Sequence, residues 1–176
     1  SFTERHYRLK KLVRKGIPSE RRGQVWMGCS GGAALLAANP GLYDKLVAQV
    51  EDPSRNFPHA DQIEMDLHRT FPEHPRFSRM TEEGMQGMNV LRRILVAYSI
   101  RNPVVGYCQG LNFIAAYLLL HMPEEHVFWM LAVIVEKLLP GDYYSETMAG
   151  CHIDQKVFQD LVRKRLPHLH AHMEKI

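Results

Sequence analysis

Apolar residues recur along most of this chain at intervals of three and four, the spacing of one face of an α-helix. Between residues 4 and 15, Leu9, Leu12 and Val13 fall on one side, and Gly16 is placed to stop the helix. Ile17-Pro18 opens a second helix, with Pro18 near its first turn and Val25 and Trp26 as its buried residues. Gly31-Gly32 breaks it, and a short alanine-rich helix over 33–38 closes at Asn39-Pro40-Gly41. Leu42, Leu46, Val47 and Val50 resume the period. Pro53, Asn56 and Pro58 make 51–59 a connection. The next helix is predicted over 60–70, where Phe71-Pro72 ends it, because a residue before proline is pushed out of the α region. After an irregular stretch at 73–80, Thr81 reads as the N-cap of a long helix with Glu82 and Glu83 in its first turn. Met88, Leu91, Leu95 and Tyr98 form its expected core stripe, and Gly84 and Gly87 weaken its start. Asn102-Pro103 terminates it, leaving Val104 to Gln109 as a loop.

The segment 110–121 is apolar nearly all round, so burial on most sides is expected. Pro123-Glu124-Glu125 opens another helix, carrying Val127, Phe128, Leu131, Ile134, Val135 and Leu138 as far as Pro140-Gly141. Residues 147–166 are mostly helical, and Pro167 begins a last helix that runs to the end. No long stretch alternates with period two, and no Asn-Gly or Asp-Gly hairpin signal occurs. The fold class is all-α, an irregular multi-helix domain over residues 1–176.

Composition changes this picture little: 45% apolar, 23% charged and a net charge of +3 describe a globular chain long enough for a real core. So small an excess of mixed sign argues against a nucleic-acid binder. The basic clusters Arg5 to Lys15 and Arg163 to Arg165 read as solvated faces. Three widely spaced cysteines, Cys29, Cys108 and Cys151, point to neither a zinc knuckle nor a disulfide framework and fit a reducing, cytoplasmic setting. No apolar run is long enough for a transmembrane helix, and no signal peptide pattern is present. The start at Ser1 and the charged end suggest a piece of a longer protein.

Two stretches carry candidate chemistry. Ile63, Asp66 and Arg69 lie three apart, on one face of their helix, so Asp66 can hold the Arg69 guanidinium while Ile63 anchors that face. By itself this spacing equally describes a surface Asp–Arg pair. Gln109 sits between Gly106 and Gly110 at the mouth of the most hydrophobic segment; a helix-start loop with a capping role has the same appearance. Other sites are weaker. His168 and His172 could face a metal but lack a third ligand. Cys151-His152 lacks a base and an orienting group. Neither a P-loop nor a G-x-G-x-x-G is present, and Met80, Met85 and Met88 read as core filler.

Taken with their neighbours, the two stretches become specific. Ile63-x-x-Asp66-x-x-Arg69-Thr70-Phe71-Pro72 resembles the I-x-x-D-x-x-R motif of the TBC-domain family, the Rab GTPase-activating proteins. Gly106-Tyr107-Cys108-Gln109-Gly110-Leu111-Asn112 resembles that family's Y-x-Q motif, departing only at Leu111, where methionine is frequent. Gly16-Ile17-Pro18 with Arg22, Val25-Trp26 and Ser30-Gly31 is similar to the entry segment. Pro140-Gly141-Asp142-Tyr143-Tyr144 with Asp154-Gln155 and Leu166-Pro167 is similar to a later part. Nothing matches the family's second helical half with its tryptophan–aspartate segment. The chain is therefore expected to be a single domain truncated on its C-terminal side.

The resemblance implies a GTPase activator for a GTP-bound Rab-family protein, not an enzyme in its own right. Arg69 and Gln109 would act as arginine and glutamine fingers. Asp66 would orient Arg69, and Tyr107, Gly110 and Asn112 would shape the loop around Gln109. Magnesium and GTP would be the partner's, with no cofactor of this chain's own, and membrane association would be only indirect, through the parent protein or the Rab. The alternative is a non-catalytic Rab-binding or scaffold module.

Overall fold

The most deeply buried helix of this protein is not the most hydrophobic one. In the computed structural model, which describes residues 2–145 and 147–175 with side chains from Tyr7 onward, helix α8 (Glu124–Val133) buries every residue from Val127 to Val133. It packs against α2 (Ser19–Ser30), α3 (Gly32–Ala38), α6 (Glu82–Arg101) and α7 (Leu111–Leu119), so no side faces water. Helix α7, expected to be enclosed, buries Leu111, Ala115, Ala116, Leu118 and Leu119 but leaves Phe113 and Tyr117 exposed. Apolar residues on every face make burial favourable, but neighbouring helices must be there to supply it.

Helix α6 is the hub. It contacts α4 (Leu42–Val50), α5 (Ala60–Leu67), α7, α8 and a 3-10 turn at Pro75–Phe77. Thr81 caps it as expected: its Oγ1 accepts the Gly84 N–H at 3.1 Å. Leu91, Leu95 and Tyr98 are buried as the stripe predicts, joined by Ile94, Val96 and Ala97, while Met88 is half-buried. Gly84 and Gly87 do more than weaken the helix start. A side chain at either would strike the backbone of Ser78 or Arg76, so their bareness lets α6 lie flush on the 3-10 turn. Met80 and Met85 are exposed rather than core filler, because they flank this junction on its solvent side. Arg93 and Glu124 pair at 2.8 Å, with the Tyr43 hydroxyl donating to the same carboxylate at 2.6 Å. The Arg101 guanidinium lies 5.0 Å over the Trp129 ring.

Among the described residues the chain has ten α-helices and no strand, as an all-α reading requires. The first, α1 (Phe2–Lys15), exposes Leu9, Leu12 and Val13. In α2, Pro18 is the N-cap rather than a helical residue, and Gly23 and Met27 are buried while Val25 and Trp26 are half-buried. The chain forms two compact units, Ser1–Val133 and Ile134–Ile176. The second consists of a π-helical turn (Ile134–Leu138), α9 (Ala149–Arg165) and α10 (Pro167–Met173), with α9 packed on α10. It buries little: Ile153, Val157, Phe158 and Leu161 of α9 are all exposed.

Candidate functional site

The arginine stretch begins as helix and ends as a strained turn. Helix α5 stops at Leu67, three residues short of the expected end. The chain then tightens: Arg69 N–H donates to Asp66 O and Thr70 N–H to Leu67 O, each at 3.2 Å. The Thr70 hydroxyl also donates to Asp66 O, at 2.6 Å. Phe71 then takes φ +43°, a left-handed conformation that costs a side-chain-bearing residue about 1–3 kcal/mol. Two ring contacts oppose that cost: Phe71 lies edge-on to Phe113 at 5.5 Å and tilted against Phe77 at 6.3 Å. Arg69 is therefore in the turn beyond the helix, and its side chain is 51% exposed.

Asp66 holds it as the spacing predicts. Its Oδ1 lies 2.6 Å from Arg69 Nη2, and the carboxylate is buried. A buried carboxylate is costly unless its oxygens are satisfied. The other oxygen, Oδ2, accepts the Tyr107 hydroxyl at 2.6 Å, across 41 residues of sequence. Burial, then the hydrogen bond to Asp66 and its charge, push the Tyr107 phenol far above its ordinary range, so it stays a donor. Ile63, one turn back, is fully buried and anchors the helix.

The glutamine loop is built from its backbone. Gly106 has φ +56° and Gly110 has φ +107°, both readily adopted by glycine. Gly106 also packs against the His59 ring, in space a side chain would occupy. Gly110 caps α7, and its N–H donates to the Asn112 side chain at 3.0 Å. Asn112 is fully buried and donates onward through Nδ2 to Thr70 Oγ1 at 2.8 Å. Thr70 thus donates one hydrogen bond and accepts another, closing a second link between the arginine turn and the glutamine loop. Gln109 itself is exposed.

All six residues singled out from the sequence (Asp66, Arg69, Tyr107, Gln109, Gly110 and Asn112) thus lie on two segments joined by two bridges, Asp66–Tyr107 and Thr70–Asn112. Sequence reasoning gave Thr70, Phe71 and His59 no role in the site. Thr70 had a signal: it is seven residues beyond Ile63, on the buried stripe. Phe71 and His59 had none. The weaker candidates stay apart. His170 lies 3.6 Å from Glu174, and among the described residues no group of three or more His, Cys, Asp and Glu gathers to hold a metal. Nor is any described helix long and apolar enough to cross a membrane.

Residues 19–176 match the family model described as Rab-GTPase-TBC domain. The human TBC1 domain family member 2B is 43% identical over 169 residues, covering 94% of this chain and 17% of that protein. Human growth hormone-regulated TBC protein 1 is 44% identical over 169 residues, covering 96% of this chain and 48% of that protein. Among solved structures, the Chlamydomonas flagellar RabGAP TBC domain superposes with a TM-score of 0.76 at 33% identity, over 96% of this chain and 53% of that one. The Ypt/Rab-GAP domain of Gyp1p shares the fold, with a TM-score of 0.69 at 23% identity over 96% of this chain and 62% of that one. The chain spans less than two thirds of the length of each. With the motifs, the all-helical architecture and these likenesses in agreement, the chain belongs to the Rab-GTPase-TBC domain family.

Proposed function

We propose that this chain accelerates GTP hydrolysis by a GTP-bound Rab-family small GTPase, lending it Arg69 and Gln109. The observation that carries this reading is the pair of buried bridges, Asp66–Tyr107 and Thr70–Asn112, which tie an exposed arginine and an exposed glutamine to one polar frame. Phosphoryl transfer is catalysed chiefly by positioning and by charge placed against the phosphates. A guanidinium has five donors, and Asp66 engages it at Nη2, leaving the rest of the fork for a phosphate. Gln109 offers an amide that can both donate to and accept from an attacking water. Magnesium and nucleotide belong to the partner, so the chain is an activator rather than an enzyme on its own.

The test is single-turnover GTP hydrolysis across a panel of purified Rab proteins, with and without the chain. Arg69→Ala is expected to remove about 10³–10⁵-fold of acceleration and to lower the melting temperature, because buried Asp66 loses its ion partner; Gln109→Ala should remove about 10²–10³-fold with its melting temperature unchanged, because that side chain is exposed. If both variants accelerate hydrolysis as well as the parent, the two-finger reading is lost. Binding of a Rab by the parent without acceleration would leave a binding module.

A further inference from the structure

Helix α1 lies outside the site and concentrates the protein's positive charge. Every described side chain from Tyr7 to Lys15 is exposed. At 100° per residue, Leu9, Leu12 and Val13 fall within an arc of about 100°, while Arg8, Lys10, Lys11, Arg14 and Lys15 occupy the remainder. Arg8 and Lys10 border the apolar arc, one on each side. These nine positions hold five cations and no acid. Removing those five from the chain's 22 basic residues leaves 17 against 19 acidic ones, a net of −2. The overall charge of +3 is therefore the charge of one helix set on a weakly acidic body.

A cationic helix suits nucleic acid, an acidic protein or an anionic lipid surface, and the apolar arc chooses among them. A phosphate track needs no hydrophobic face. A helix lying in a bilayer interface does: it sets a narrow apolar arc at the acyl boundary, and bordering Lys and Arg side chains reach up to the headgroup phosphates. The acidic remainder is not drawn to an anionic bilayer, so electrostatics brings α1 down first. We propose that α1 is a membrane-surface helix that docks the chain directly on anionic lipid, in place of the purely indirect association expected from the sequence. This does not depend on the GTPase reading.

The test is co-sedimentation of the full chain with vesicles of phosphatidylcholine alone or of phosphatidylcholine with phosphatidylserine. Binding is expected only to the anionic vesicles and should weaken steeply as salt is raised. Each Lys or Arg neutralised should cost about fivefold, so a Lys10→Gln/Lys11→Gln/Arg14→Gln variant should bind about a hundredfold more weakly. Leu9→Ser/Leu12→Ser should also weaken binding, because the apolar arc inserts. All five residues are exposed, so far-UV circular dichroism and melting should match the parent. Equal binding to neutral and anionic vesicles overturns the proposal, as does undiminished binding by either variant. Retention on polyglutamate without vesicle binding assigns α1 to an acidic protein and overturns it as well.

Discussion

The arginine turn and the glutamine loop hold their exposed side chains in opposite ways. Arg69 is held by its side chain, through an ion pair to a buried carboxylate that Tyr107 grips from the other side. The Gln109 side chain makes no hydrogen bond among the described residues; what is set is the backbone beneath it, by Gly106 and Gly110 at positive φ and by Asn112 closing the start of α7. A guanidinium is long and rotamer-rich, so a tether removes most of its freedom before a partner arrives. An amide placed by a fixed backbone keeps its rotamers and can adjust to a water. If this contrast is right, the arginine fails through side-chain changes and the glutamine through backbone changes.

Arg69→Lys should have the largest effect among variants that keep the charge. A lysine cannot bond Asp66 and present a planar fork together, so about 10²-fold of GTP acceleration should be lost in the same hydrolysis assay. Gly110→Ala comes next. The φ of +107° is unfavourable for alanine, so the loop must rearrange; a shift of about 1 Å in Gln109 is worth up to about 10²-fold. Tyr107→Phe is milder, about tenfold, because Asp66 still holds Arg69 while losing one donor worth about 1–2 kcal/mol. A double-mutant cycle sharpens the contrast. In an Arg69→Ala background, Tyr107→Phe should cost no further acceleration, whereas Gly110→Ala should still cost its full amount. Equal behaviour of the two in that background would show one rigid unit rather than two differently held groups.

Much of the fold was legible because the chain is well punctuated. Gly31, Asn39-Pro40-Gly41, Asn102-Pro103 and Pro167 each mark a helix end or start in the structure. What stayed hidden was which apolar faces find neighbours. Periodicity placed Leu91, Leu95 and Tyr98 correctly yet enclosed α7 instead of α8, since three of the four helices packed around α8 (α2, α3 and α6) come from residues well before it in sequence. In the site, the Asp66–Arg69 pair was legible from a spacing of three. The Asp66–Tyr107 bond spans 41 residues, and only the motifs, taken together, brought those residues into one reading. The positive φ of Phe71 left no trace in the sequence: proline after it predicted an extended residue, and the rings of Phe113 and Phe77 support a left-handed one.

The smallest expected effect comes from a second arginine–carboxylate pair, which serves as a control for the first. Arg93 meets Glu124 through two contacts of 2.8 Å, and its side chain is 28% exposed against 51% for Arg69. Both contacts turn inward on the scaffold, and Tyr43 adds a third donor. Burial alone would raise the Glu124 carboxyl, but hydrogen bonds from Arg93 and Tyr43 outweigh it and hold it below the ordinary glutamate range. A carboxyl lowered on folding stabilises the native state above its unfolded pKa of about 4.3, and that stability is lost as pH falls through the folded value. Glu124→Gln should therefore melt lower at neutral pH, by about 2–4 °C for each 1 kcal/mol lost. Its deficit should shrink on acidification below about pH 4, where the parent carboxyl also becomes neutral. GTP acceleration at neutral pH should be unchanged, because this pair presents no arginine outward. A Glu124→Gln variant that kept its melting temperature but lost acceleration would place this pair in the site and erase the distinction between a tethered finger and a structural clamp.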